Sequence, residues 1–514
     1  MLIFETVLVL LLGATILSAI ARRMGIPYPA LLAVAGAFIA FVPGAPRLNM
    51  PPDLILALFV APVLLDAAYD TSLRDLRRNW ISVSSLVLVA VALTTTAVAI
   101  AAHIMIPDMP WAAAVALGAL LAPPDAVAAL AVLRQVDPPH RMRVVLEGES
   151  LLNDASSLLI YRLAVGAVVA GSFSPIGALP AFVAVFIGSV VAGWVLAKPV
   201  GLISGRISDA PSSVIFQFVM TFGVWLVAER LGLSGVVAIV VFGLTLARGS
   251  IMPARIRMPS FAIWETVTVV LNVLAFTLIG LQLRPIIESL DVVDRYRYLG
   301  ASLALLAVVI VVRIVWVMAH HGGAVLAQRL TRSHAVNSSV TPPTIRDAAI
   351  VGWCGMRGVV TLAAAMALPA EFPLRDFIQL TAFIVVLGTL ILQGLTLSAG
   401  LKFFGIPTDT TRQTELRIAR EAALAAALAE LNKDETRASA RLREEYSEAL
   451  HHIQEGRHPG DTLDNVLRRR VAAASRLAIA DLRDTGAIGD DAYRSAEEEL
   501  DRLELSAQAA VVGD

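Results

Sequence analysis

The chain has 514 residues, of which 57% are hydrophobic and 16% charged, with a formal net charge of -1 and a single cysteine, Cys354. Apolar runs of about 18 to 25 residues, long enough to cross a bilayer, exclude an ordinary soluble globule. The lone cysteine excludes an intramolecular disulfide or a cysteine-rich metal site, and the absence of alternating ten-residue segments sets aside a membrane β-barrel.

Hydropathy predicts an all-α polytopic membrane protein with about thirteen spans. They lie near 2–20, 26–43, 51–69, 80–104, 110–133, 145–170, 177–200, 212–230, 233–248, 262–283, 298–320, 347–368 and 376–400. The first lacks a basic leader and is followed by Arg22 and Arg23, so it reads as a retained helix rather than a cleaved signal. Odd-numbered connections carry roughly sixteen basic groups against about six in the even ones, which puts the N-terminus outside and the C-terminus in the cytoplasm. The expected location is the inner or plasma membrane.

Span five reads "ALGALLAPPDAVAALAVL", where Pro123 and Pro124 remove backbone donors and should break the helix beside Asp125. Span six contains "LEGESLLNDASSLLIYRLAVG", Leu146 to Gly166. At about 100° per residue, Glu149, Ser150, Asn153, Asp154, Ser157 and Tyr161 fall within roughly 160° of the wheel, leaving leucine and alanine on the rest. Ionised groups at a bilayer centre cost at least about 2.5 to 3.5 kcal/mol, so such a stripe faces a bundle interior or a wet cavity and marks an ion or proton path.

Further charges fall inside apolar runs: Asp66 in "ALFVAPVLLD", Arg313 in "VVIVVRIVWV" and Arg357 in span twelve, "AAIVGWCGMRGVVTLAAAMALP". Gly352, Gly355 and Gly358 around Arg357 predict a second break. Spans five and twelve are separated by an odd number of crossings and so run in opposite senses, the arrangement of inverted repeats whose paired broken helices build a midplane site. Freed carbonyls, carboxylates and hydroxyls together suit a small hard cation.

Beyond "FFGIPTDTTRQ" the composition turns rich in Ala, Glu, Arg and Leu, which predicts soluble helices over 415–454 and 462–507. The domain division expected is 1–404 for the membrane part and 405–514 for a helical cytoplasmic tail. His451, His452 and His458 there read as surface histidines.

"GESLLND" at Gly148 to Asp154, "PPDAVA" at Pro123 to Ala128, "FAIWETVTVVLNVLAFTLIGLQL" at Phe261 to Leu283 and "GMRGVVTLAAAMALP" at Gly355 to Pro369 resemble the sodium/proton exchangers of the cation:proton antiporter superfamily, electroneutral branch. The resemblance spans nearly all of 1–400. It implies a homodimer in which each chain has a dimerisation domain and a core with two crossed, broken helices. It implies that Asp154 alternately holds cation and proton beside Asn153, with Asp125, Ser150 and Asp66 helping to line the cation site, so that Asp154 and Asp125 hold the transported metal ion. It further implies a buried ion pair of Glu149 with Arg357, and Arg313 as a second positive charge in the core. Pro124 stands where the family often has Thr, and Asp66 where many members have Glu.

The expected activity is exchange of cytoplasmic monovalent cation, Na+ first and K+ or Li+ as alternatives, for external H+ by alternating access, with no resident cofactor and no nucleic-acid partner. Low-dielectric surroundings favour the neutral carboxyl, so H+ and Na+ compete for one group. A cation channel is the competing reading. An intramembrane hydrolase or an ATP-driven pump lacks its motifs: there is no H-E-x-x-H, nucleophile elbow or phosphate-binding loop.

Overall fold

The structure is a computed structural model. It describes residues 2–24, 27–42, 52–125, 129, 133, 139–169, 175–249, 254–288, 290, 292–331, 344–405, 411–433, 436–455, 462–485, 496–497 and 499–502. The chain divides into two compact units, Met1–Thr408 and Asp409–Asp514.

Among its described residues, the regular structure of the first unit is helical. Its elements are α1 (Leu2–Met24), α2 (Tyr28–Ala40), α3 (52–70), α4 (Leu73–Arg78), α5 (Trp80–Met105), α6 (Trp111–Leu121), α7 (His140–Val169) and α8 (Pro175–Ser204). They continue with α9 (Ala210–Arg230), α10 (Gly235–Gly249), α11 (Ala254–Leu281), α12 (Leu283–Glu288), α13 (Val292–Thr331), α14 (Ile345–Trp353), α15 (Val359–Met366) and α16 (Arg375–Phe404). Among the described residues seven helices are long and apolar enough to span a membrane, and five shorter apolar helices accompany them. Helices are the natural solution for such sequences, because a lipid core offers the backbone no other hydrogen-bond partner.

Two sets of helices pack tightly within themselves. In one, α2 lies along α11, and α10 lies against α3, α8 and α9. In the other, α5 and α7 flank α6, while α13 packs on α5, α14 and α16. The backbones approach closely where side chains vanish. A Cβ on Gly280 would run into Ala33 O and the Ala37 amide of α2, and one on Gly36 into Thr277 O of α11. Small residues at such a crossing substitute van der Waals contact for the hydrophobic force that lipid cannot supply.

One helix irregularity falls where a side chain of another helix needs a backbone oxygen. A π-turn at Ser85–Ala90 interrupts α5, and Val87 within it accepts a hydrogen bond from Ser156 Oγ at 3.0 Å. Helix α6 ends at Leu121, before Pro123 and Pro124, which cannot donate to it. Helix α14 starts on a capping box, with Asp347 N donating to Thr344 Oγ1 at 3.2 Å and Thr344 N to Asp347 Oδ2 at 2.8 Å. It stops at Trp353, and helix resumes only at Val359.

The second unit contains α17 (Thr411–Leu431), α18 (Arg437–Gln454) and α19 (Leu463–Asp484). Arg468 forms a two-pronged bond with Glu445, 2.8 Å on each arm, which joins α19 to α18; hydrogen bonding to that carboxylate raises the Arg468 pKa. His451 pairs with Glu455 at 3.1 Å, and His458 lies outside the described residues.

Replacing Gly280 with Val should force α2 and α11 apart, with loss of the monodisperse peak in size-exclusion chromatography in mild detergent. Gly13→Val on α1, where a Cβ meets nothing within 4 Å, should leave that peak unchanged.

Candidate functional site

The two interruptions meet. Asp125 N, just past the prolines, donates to Met356 O in the second break at 2.6 Å. Gly358 sits against the Asp125 carboxylate so closely that a Cβ there would overlap it. Non-helical backbone of this kind is tolerated at membrane depth only when buried in protein or lining a cavity, and here it is both paired and enclosed.

Each break exposes the carbonyl end of a half-helix, and an arginine covers each one. Arg357, fully buried, donates through Nε to Leu121 O at 3.0 Å and through Nη2 to Ala122 O at 3.3 Å, with Nη1 bonded to Gly355 O. Its own amide donates to Thr389 Oγ1 of α16 at 3.0 Å. Arg313 of α13 donates to Val351 O at 3.2 Å and Cys354 O at 3.4 Å at the end of α14. A guanidinium at a helix C-terminus satisfies orphan carbonyls and the negative end of the dipole together.

Helix α7 brings its polar face to this crossing. Glu149 is 1% exposed and Arg313 3%, and they form a fork-to-fork pair, Nη1 to Oε1 at 2.5 Å and Nη2 to Oε2 at 2.8 Å. The sequence expectation of a Glu149 pair with Arg357 is therefore corrected: Arg313 is the partner. The reason is competition, because Arg357 is held by the carbonyls of the proline break while the α13 guanidinium points at α7. Buried two-pronged geometry is the form in which an arginine and a carboxylate bind best.

Asn153 is fully buried, and its Nδ2 donates to Pro124 O at 3.1 Å, which ties α7 to the first break. Tyr161 Oη donates to Ala364 O of α15 at 2.7 Å, tying α7 to the second half of span twelve. Thus several oxygens released by the breaks, expected as cation ligands, are already occupied by Arg357, Arg313 and Asn153. Asp154 is 8% exposed and within electrostatic reach of Asp125. Among the described residues no cationic side chain pairs with Asp154. Ser150 is half-buried on the same helix.

Asp66 lines a small, partly open cavity of about 40 Å³ with Tyr69, Gln217, Arg257, Ser260 and Trp264. Sequence reading also missed a buried acid, Asp75 on α4, which meets His140 Nε2 at the start of α7 at 3.2 Å and Arg74 at 3.6 Å. Burial by itself would raise the Asp75 pKa, but hydrogen bonds from Ser72 and His140 and the charges of His140 and Arg74 outweigh it and hold the carboxyl below its ordinary value. The spacing Ser72-x-x-Asp75 is a cap signature that could have marked it. Near the end of α9, Glu229 is paired with Arg162.

The sequence profile described as sodium/hydrogen exchanger, transmembrane, matches residues 7–402. The chain belongs to the sodium/hydrogen exchanger family. An uncharacterised Na+/H+ exchanger of Mycobacterium bovis is 29% identical, over 98% of this chain and 96% of its own length. A sodium, potassium, lithium and rubidium/H+ antiporter of Bacillus pumilus is 30% identical over 88% of this chain and 70% of its own. A low-affinity Na+/H+ antiporter of Synechocystis is 30% identical over 82% and 78%. In fold, the exchanger is similar to the sodium proton antiporter MjNhaP1 of Methanocaldococcus jannaschii, with a TM-score of 0.61 and 19% identity over 80% of this chain and 99% of that one. The protein is a secondary active cation/H+ antiporter of a membrane, not an enzyme.

Removing one member of the buried pair, by Glu149→Gln or Arg313→Met, should cost about 3 to 5 kcal/mol of stability. The double variant E149L/R313M should recover only the part that comes from the bare charge, because the Val351 and Cys354 carbonyls stay uncapped. Thermal unfolding of the purified exchanger in detergent measures both.

Proposed function

We propose that Asp154 is the exchanging group and that it carries one monovalent cation and one proton in turn. The carrying observation is that Asp154 is buried beside Asp125 where the breaks cross, while the other charges there are committed: Glu149 to Arg313, and Arg357 to backbone carbonyls. Asp125 and Ser150 supply further oxygens, and Asn153 fixes α7 against the first break. Cytoplasmic Na+ leaves as external H+ enters, by alternating access across thirteen spans arranged as inverted repeats. The working form is a homodimer in the inner membrane, with the N-terminus outside and residues 405–514 in the cytoplasm. The charge asymmetry of the loops supports that orientation.

A charge count supports electroneutral exchange. Glu149 and Arg313 cancel, and the Arg357 charge offsets Asp125. Asp154 is then neutral whether it holds H+ or Na+, so both loaded forms cross with the same charge. The empty ionised form meets the full cost of a bare charge in a low-dielectric interior, which suppresses leak. The breadth of the Bacillus pumilus relative, sodium through rubidium, makes K+ and Li+ the further cations to assay.

Everted vesicles or proteoliposomes with a trapped pH dye should respond to added Na+ with wild-type protein and give no response above empty vesicles with Asp154→Asn. Exchange retained in that variant overturns the assignment. Collapsing the membrane potential should leave the wild-type rate nearly unchanged; a strong dependence on potential would count against one-for-one exchange.

A further inference from the structure

Helix α7, which carries Asp154, is tied at its far end to the other set of helices. Arg162 lies about two turns beyond Asp154, about 12 Å along the axis. Its Nη2 donates to Glu229 Oε1 at 2.8 Å, at the end of α9. The same oxygen accepts from the Gly235 amide at 3.2 Å, the first residue of α10. Gly235 leaves room for it: a Cβ there would press on the Trp225 ring at 2.8 Å and on Glu229 Oε1 at 3.0 Å. Glu229 is therefore positioned by its own set of helices, at the positive end of α10, independently of Arg162.

This pair bridges the two sets. Helix α7 packs chiefly with α6 and the crossing and touches α10, α8 and α3 more lightly, whereas α9 and α10 pack with each other and with α3, α8 and α11. Alternating access requires one set to rock or slide against the other around the site. A contact that joins α7 to α9 and α10 beyond Asp154 has to lengthen or break when that side opens. The pair is also built to break: its side chains are 44% and 29% exposed, so water takes over the charges when they part, unlike the Glu149 and Arg313 pair.

We propose that Arg162 and Glu229 form a gate latch, closing the Asp154 site toward the membrane face at the C-terminal end of α7 and releasing once per transport cycle. Both are positioning residues, acting through the movement of α7. The proposal rests on the alternating-access reading above.

The test joins the two positions. Cys354 is 1% exposed, so R162C/E229C can be treated with a short, polar, thiol-specific bifunctional methanethiosulfonate, with treated wild type as the control. The untreated double variant should exchange Na+ for H+ in proteoliposomes. Cross-linking should reduce exchange at least about tenfold by holding one conformation, and reduction should restore it. Full exchange after complete cross-linking overturns the latch. A second measurement does not depend on the reagent. Arg162→Glu and Glu229→Arg should each shift the apparent Na+ affinity measured from one side by about threefold to fivefold, the scale of a partly exposed pair, and R162E/E229R should return it toward wild type. Single variants that lower only the melting temperature, leaving affinity unmoved, overturn the latch in favour of a purely structural tie. Channel-like conductive flux through wild type would instead defeat the alternating-access reading itself.

Discussion

The membrane unit depends on two helix ends that meet in the middle of the bundle. Breaking a helix in lipid exposes carbonyls that would each cost several kcal/mol if left bare. The chain answers with one guanidinium for each end. Arg357 from the second break reaches across to the carbonyls of the first, and Arg313 covers those of the second. These contacts bring the interruptions together, and the Asp125 amide then closes on Met356 O. The arginines are therefore first of all backbone caps. Glu149 follows from them, as the counter-charge that makes one buried guanidinium tolerable.

That hierarchy explains why neighbouring acids on one helix face have unlike fates. Glu149 meets an arginine whose Nη2 also reaches the carbonyls at the end of α14, so the acid, the guanidinium and the helix end hold one another. Asp154, little more than a turn further on, reaches the crossing where the donors have been used. A carboxylate without a resident cation is open to a mobile one. The same packing that neutralises the rest of the crossing leaves this group to respond to what arrives from either side of the membrane.

Much of this was legible in the sequence, and the limits have physical causes. Pro123 and Pro124 announce their break because a missing amide is a local property, and Gly355 with Gly358 announce the other. The polar stripe on α7 is equally local, since helical periodicity places Glu149, Asn153 and Asp154 on one face. Partner choice is not local. Arg313 and Arg357 look alike in sequence, and which one meets Glu149 depends on which is already held by carbonyls from another helix. Asp75 with His140 and Arg162 with Glu229 escaped for the same reason: each joins distant segments near helix ends, where a single charged residue reads as solvated. The occupation of the Leu121, Ala122 and Pro124 oxygens likewise follows from the crossing itself. A helical wheel carries no information about it.

The Glu149 and Arg313 pair also has a bearing on how the chain is made. Its members are 164 residues apart, and of the seven long apolar helices α7 is the least apolar. Synthesis therefore delivers a membrane helix bearing a glutamate well before the arginine that neutralises it exists. An uncompensated charge at that depth costs at least about 2.5 to 3.5 kcal/mol, comparable to the margin by which a marginal helix enters lipid at all. Until α13 emerges, α7 depends on shelter from the helices already made, chiefly α5 and α6. The half-built chain and the finished one are thus held together by different contacts, and a substitution on α13 can be felt by a helix inserted long before it.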